Sequence, residues 1–286
     1  APPSRVQHYF LLMKGAYEQS KGLYTQAAQT FSALTPHLES PHLRAASWHI
    51  AFEQHNLPAL IADAKIITTE HANDKELLLK LAQAYLQSEQ LDHAADLLLQ
   101  LQKQVPDDDR IDYFAATTLL KLGRYHEAQL IITAALNQQS RVAKHYLFHF
   151  LNAKQAFLKQ AYQEALLHVQ RCQHTHPQFS RIEVLKGLIY EKMGKNSEAL
   201  TAYGDYLSHS DDRELQQKYL SLAFDAERYP EALAALEKWP QNTAAYYHDC
   251  ALVHYKLGNP SVAHTYLAKA FAKEEDHLKS RVLLIH

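Results

Sequence analysis

Apolar positions recur along the chain in steps of three and four. Leu78, Leu81, Ala82 and Tyr85 fall on one face of a helix predicted from about Lys75 to Ser88. Ala94, Ala95, Leu98 and Leu101 fall on one face of a second, from about Leu91 to Gln104. Pro106 stops the second, because a proline ring cannot continue a helix. This window therefore predicts two helices joined by a short turn.

The same window returns along the chain. A small apolar residue, a short turn often holding Gly, an aromatic or Leu, two residues and then Ala recur. Lys21-Gly22-Leu23-Tyr24-Thr25-Gln26-Ala27, Leu122-Gly123-Arg124-Tyr125-His126-Glu127-Ala128, Met193-Gly194-Lys195-Asn196-Ser197-Glu198-Ala199 and Leu257-Gly258-Asn259-Pro260-Ser261-Val262-Ala263 show it most plainly. Weaker copies end at Ala94, Ala165 and Ala232, and Leu60 takes the Ala place in one more. The ladder predicts eight helical hairpins with a period of about 34 residues, the mark of a repeat architecture. The predicted units are 7–39, 41–73, 75–106, 109–140, 141–177, 180–211, 213–240 and 243–275, in a single domain spanning 1–286; residues 276–286 begin a further or capping helix.

Other residues agree with this register. Pro177 closes the fifth unit as Pro106 closes the third. Pro58, Pro230 and Pro260 stand near the starts of second helices, where a missing N–H costs nothing. Asp107-Asp108-Asp109 and Asp211-Asp212 precede first helices, where carboxylates suit the helix N-terminus. Gly15 and Gly187 mark close crossings within a hairpin, with Phe31 and Tyr203 as fillers between units.

Gly187, Tyr190, Ala199 and Tyr203, with Gly15, Ala27 and Phe31, and with Leu81, Ala82, Tyr85, Ala94 and Pro106, resemble the tetratricopeptide repeat family from about Gln7 to Glu275. Three departures stand out. Trp48 occupies a place usually held by Gly or Ala, the fifth unit carries three extra residues, and the eighth has lost three. The resemblance implies an all-α fold, a right-handed α-solenoid of about eight hairpins whose concave face is lined by first helices. It implies a partner-binding groove at Tyr113, Thr117, Leu120, Phe150, Lys154, Phe157, Val184, Leu188, Phe224, His248, Leu252 and Tyr255. That row is apolar and aromatic for solvent-facing positions, as suits a protein or peptide partner. Leu12 and Ala16 stand where the chaperone-tail clamp of such repeats carries Lys and Asn, so that specialisation is not expected.

The opening Tyr9-Phe10-Leu11-Leu12, Gly15-Ala16, Gly22 and Ala27 are also similar to bacterial cell-envelope adaptor lipoproteins of this family. That likeness implies a periplasmic or outer-membrane-anchored protein, with a protease or an envelope-assembly enzyme as partner. The alternative is a regulatory or targeting region of a larger enzyme, such as a glycosyltransferase or a sensor.

Composition narrows the function further. Lys and Arg number 29 against 31 Asp and Glu, which leaves no basic excess for a nucleic-acid binder. No run approaches the length of a membrane span. The start at Ala1-Pro2-Pro3 suggests a processed or trimmed chain, and Arg281–His286 reads as the middle of an apolar helix. Cys172 and Cys250 match no metal or redox spacing and read as small buried residues. His145 and His149 share a helix face, and His174 and His176 sit near a turn, but a zinc site needs a third ligand and usually a carboxylate. No H-E-x-x-H, phosphate loop or G-x-S-x-G elbow occurs. Glu127, Glu164, Glu198 and Glu231 recur before the ladder residue and so mark a repeat position rather than an acid–base pair. The expectation is a non-enzymatic adaptor with no catalytic residue, metal or cofactor.

Overall fold

The computed structural model describes residues 5–34, 40–274, 280 and 283. Among them every regular element is a helix, and the chain divides into two compact units, Ala1–Gln155 and Ala156–His286. The expected cut ends lie outside the described residues, apart from Ser280 and Leu283.

The first unit pairs α1 (Arg5–Ser20) with α2 (Tyr24–Ser32) and α3 (Pro41–Glu53) with a second helix in two pieces, α4 (Leu57–Ala62) and α5 (Ala64–Glu70). It then pairs α6 (Lys75–Gln87) with α7 (Leu91–Gln104) and α8 (Asp109–Lys121) with α9 (Tyr125–Asn137), and ends within α10 (His145–Leu158). The bounds of α6 and α7 agree with the sequence period. The second unit begins with the end of α10, followed by α11 (Tyr162–Thr175). It adds α12 (Arg181–Lys192) with α13 (Asn196–Leu207), α14 (Arg213–Asp225) with α15 (Tyr229–Lys238), and α16 (Ala244–Lys256) with α17 (Pro260–Lys273).

One turn geometry closes all eight hairpins. In the first unit Gly22, His55, Glu89 and Gly123 have positive φ, and in the second Gln160, Gly194, Glu227 and Gly258 do. The next residue donates its N–H to the carbonyl five positions earlier, as in Leu23 to Glu18, Gln90 to Tyr85, Lys195 to Tyr190 and Asn259 to His254, at 2.8 to 2.9 Å. The left-handed residue thus satisfies carbonyls that the ending helix leaves open. Each ladder residue lies five positions beyond this turn residue. Ala27, Leu60, Ala94, Ala128, Ala165, Ala199 and Ala232 are wholly buried, and Ala263 nearly so. A small side chain there lets the second helix enter tightly against its partner.

The two predicted close crossings are present. A Cβ on Gly15 would sit 2.4 Å from Phe31 Cε1, and one on Gly187 would sit 2.3 Å from Tyr203 Cε1. Thr30 donates to Glu18 Oε2 at 2.7 Å beside the first crossing, and Tyr203 donates to Glu191 Oε2 at 2.7 Å beside the second.

The three departures from the repeat have local explanations. Trp48 is buried on α3, and its indole N–H donates to Asp63 Oδ2 at 2.9 Å. Asp63 is the residue at which the second helix breaks into α4 and α5, so the bulky ring coincides with an interrupted partner helix. A 3₁₀ helix, Gln139–Lys144, lies at the joint between the fourth and the lengthened fifth repeat, ahead of α10. The shortened eighth spacing follows the short α15, of 10 residues.

Candidate functional site

First helices supply the expected partner-binding positions, and the two units are taken separately. In the first unit Tyr113 and Thr117 on α8, and Phe150 and Lys154 on α10, are half-buried. Leu120 is 2% exposed and packs in the core with Leu119 and Ala116, so it cannot line a groove. The 3.6-residue helix period puts Tyr113, Thr117 and Lys121 one above another on α8. The Thr117 hydroxyl is buried without a hydrogen-bond partner within the protein, whereas its neighbour Thr118 donates back to the Phe114 carbonyl at 2.7 Å. Burial holds the Lys154 ammonium below the usual lysine value, and the charge of nearby Lys121 pushes it the same way.

In the second unit Phe157, Val184, Leu188, Phe224 and Leu252 are half-buried, and Tyr255 is 40% exposed. Val184 and Leu188 rest on the core around Tyr203, and Phe224 rests on the core around Leu236. Phe157 stacks obliquely on Tyr162 with ring centroids 6.1 Å apart. His248 is a correction: it is 8% exposed, and its Nδ1 lies 3.4 Å from the hydroxyl of the fully buried Ser280. Ser280 covers this position of α16, which the repeat register alone could not foresee.

A concave cleft of about 330 Å³ opens between α14 and α16. Gln217, Ser221 and Phe224 line it from α14, and Ala245, Tyr246 and Asp249 from α16. Of these, only Phe224 belongs to the predicted row. Gln217 and Ser221 precede Phe224 by seven and three residues on the same helical face, so the repeat register marks them, but a selection for apolar side chains passes them over. Tyr246 donates its hydroxyl to the Leu236 carbonyl at 3.2 Å, and Thr243 caps α16 by accepting from the Tyr246 N–H at 3.2 Å. The cleft thus has a fixed wall, a half-buried aromatic and amide, hydroxyl and carboxylate groups. Such a mixture recognises side chains and backbone by hydrogen bonds around an apolar anchor.

Among the described residues no three His, Cys, Asp or Glu side chains converge on a point that could hold a metal, and no helix is long and apolar enough to cross a membrane. Cys172 and Cys250 are buried, and burial pushes their thiols up to about 12 and about 11.

Residues 79–128 match the family model described as tetratricopeptide repeat. No curated protein sequence matches the chain. Among solved structures, the chain is similar to a tetratricopeptide repeat protein from Parabacteroides merdae, at 15% identity and a TM-score of 0.63, with 97% of each chain covered. It is similar to a chain of the APC/C Cut9–Hcn1 hetero-tetramer at 14% identity and a TM-score of 0.53, covering 96% of this chain and 55% of that one. It also resembles PilF of Pseudomonas aeruginosa, at 15% identity and a TM-score of 0.50, over 76% of this chain and 99% of that one. Residues 79–128 are thus tetratricopeptide-repeat sequence, and the likeness to solved structures carries the same all-α hairpin fold through the rest of the described chain.

Proposed function

We propose that this chain is a non-enzymatic scaffold that holds a peptide or protein partner on the exposed faces of its first helices. The cleft between α14 and α16 carries the reading: a concave site with Phe224 half-buried at its wall and polar groups of Gln217, Ser221 and Asp249 around it. An apolar anchor ringed by hydrogen-bonding groups suits the binding of a peptide. A chain of the same fold occurs in the Cut9–Hcn1 hetero-tetramer, which supports partner holding as a use of these hairpins. The similarity of the opening segment to envelope adaptors extends the reading to a bacterial periplasmic or membrane-anchored protein, with a protease or an assembly enzyme as partner.

Panning a random dodecapeptide library against the full chain tests the proposal. Enriched peptides are expected to lose at least tenfold in affinity to Phe224→Asp and to Ser221→Trp, which fills the cleft, with the helical circular dichroism signal unchanged. No enrichment, or binding indifferent to both substitutions, contradicts it.

A further inference from the structure

The first helices from α3 to α14 each carry an apolar residue twelve positions before the left-handed turn residue: Leu43, Leu77, Ile111, Phe148, Ile182 and Leu215, none more than 7% exposed. The preceding hairpin helps to cover this position. Leu43 shares a core with Ala27 and Phe31 of α2, and Leu215 shares one with Tyr203 and Leu207 of α13. On α1 the same position is Phe10, and it is 66% exposed. One full heptad later Ile50, Ala84, Ile189 and Val253 are buried in their helices, whereas Tyr17 on α1 is exposed. Val6 and Met13 extend the bare face, and Tyr9 borders it, all of them exposed. Leu11 and Leu12 turn the other way, onto the core shared with α2 and α3.

Val6, Phe10, Met13 and Tyr17 follow one another in steps of four, three and four. That is the spacing of a seam by which one helix packs along another. With Tyr9, the exposed side chains present about 600 Å² of largely apolar surface, the upper end for the largest patch of a monomer. Laid on its own copy the seam removes about 1,200 Å² from water, which reaches the size at which specific interfaces begin. The charges beside it favour one alignment. Lys14 is held by Glu18 at 3.7 Å, and Lys21 lies 5.7 Å from the centre of the Tyr17 ring. A parallel pair sets these lysines level with their own copies, and an antiparallel pair keeps them apart. Head-to-tail stacking on α17 has no such free face, because Leu283 already packs against the cluster of Ala251, Ala263 and Leu267. A surface that is its own complement closes as a twofold dimer.

We infer that α1 is a self-association surface. Two copies pair their seams antiparallel about a twofold axis between Phe10 and Met13, so that Val6 faces Tyr17 and Phe10 faces Met13 of the second copy. The inference draws nothing from the cleft between α14 and α16, so either can fail alone.

Sedimentation equilibrium of the full chain through the micromolar range tests it. The mass is expected to rise with concentration to twice the 32.7 kDa of one chain. Phe10→Asp is expected to hold the mass at that of one chain throughout, with the helical circular dichroism signal unchanged. Tyr17→Arg, at another exposed position, gives the same reading if Phe10→Asp disturbs the fold. The native thiols are buried, so copper-catalysed oxidation reports introduced cysteines. It is expected to join a chain carrying Val6→Cys to one carrying Tyr17→Cys, and not to join Val6→Cys to itself. A chain that stays single at every concentration, or a dimer indifferent to both exposed substitutions, overturns the inference. Joining of Val6→Cys only to itself overturns the antiparallel seam. A single chain that instead takes up a peptide with the sequence of α7 overturns the second copy as occupant in favour of a helical partner.

Discussion

Lys154 shows at the scale of one residue how a half-buried charge can weaken the fold that carries it. Burial and the charge of Lys121 lower its pKa from the 10.5 of an ordinary lysine. Below the lowered value the folded chain carries a charge that the unfolded chain solvates better. The cost is therefore present at neutral pH and fades as pH rises from the lowered value toward 10.5. Lys154→Met is expected to raise the thermal midpoint at pH 7 by about 1–3 °C, and the gain over the parent should shrink at pH 10. A variant less stable than the parent at pH 7 shows that the ammonium has a stabilising partner and contradicts this account. Single residues also mark what the sequence could and could not display. Gly15 and Gly187 were legible as close crossings because only Gly leaves room for an aromatic ring there. The burial of Leu120 and His248 was not, because core packing of α8 covers the first and Ser280 covers the second.

At the scale of the element, the hairpin turn is the unit of construction. Four of the eight left-handed positions are Gly, and the others are His55, Glu89, Gln160 and Glu227, at φ of 54° to 61°. These four precede the weak copies that end at Leu60, Ala94, Ala165 and Ala232, so the repeat was faintest wherever the chain accepts a strained residue in place of Gly. Glycine has no Cβ to crowd in that conformation, although it loses more freedom on folding. Glu89→Gly and Glu227→Gly are each expected to stabilise their hairpins by about 0.5–1 kcal/mol, read as a rise in the urea midpoint. An unchanged or lower midpoint contradicts the strain argument. The break at Asp63 was half legible: Trp48 announced a disturbed second repeat, but its bond to Asp63 joins residues 15 apart in a geometry that a periodic pattern does not encode.

At the scale of the whole molecule, each unit offers first-helix faces of different chemistry. In the first, α1 bares the apolar seam of Val6, Phe10, Met13 and Tyr17, and in the second a cleft gathers Phe224 with amide, hydroxyl and carboxylate groups. The fold was legible nearly in full because every repeat votes for the same register, so local ambiguity averages away. The candidate faces were legible only in part, since register shows which positions turn outward but not which neighbours cover them. Hydrogen-exchange mass spectrometry of the full chain with a display-selected peptide tests the central claim most directly. Protection on binding is expected in α14 and α16, over residues 213–225 and 244–256. Protection confined to second helices such as α9 and α13, with α14 and α16 unchanged, would contradict the claim that first-helix faces hold the partner.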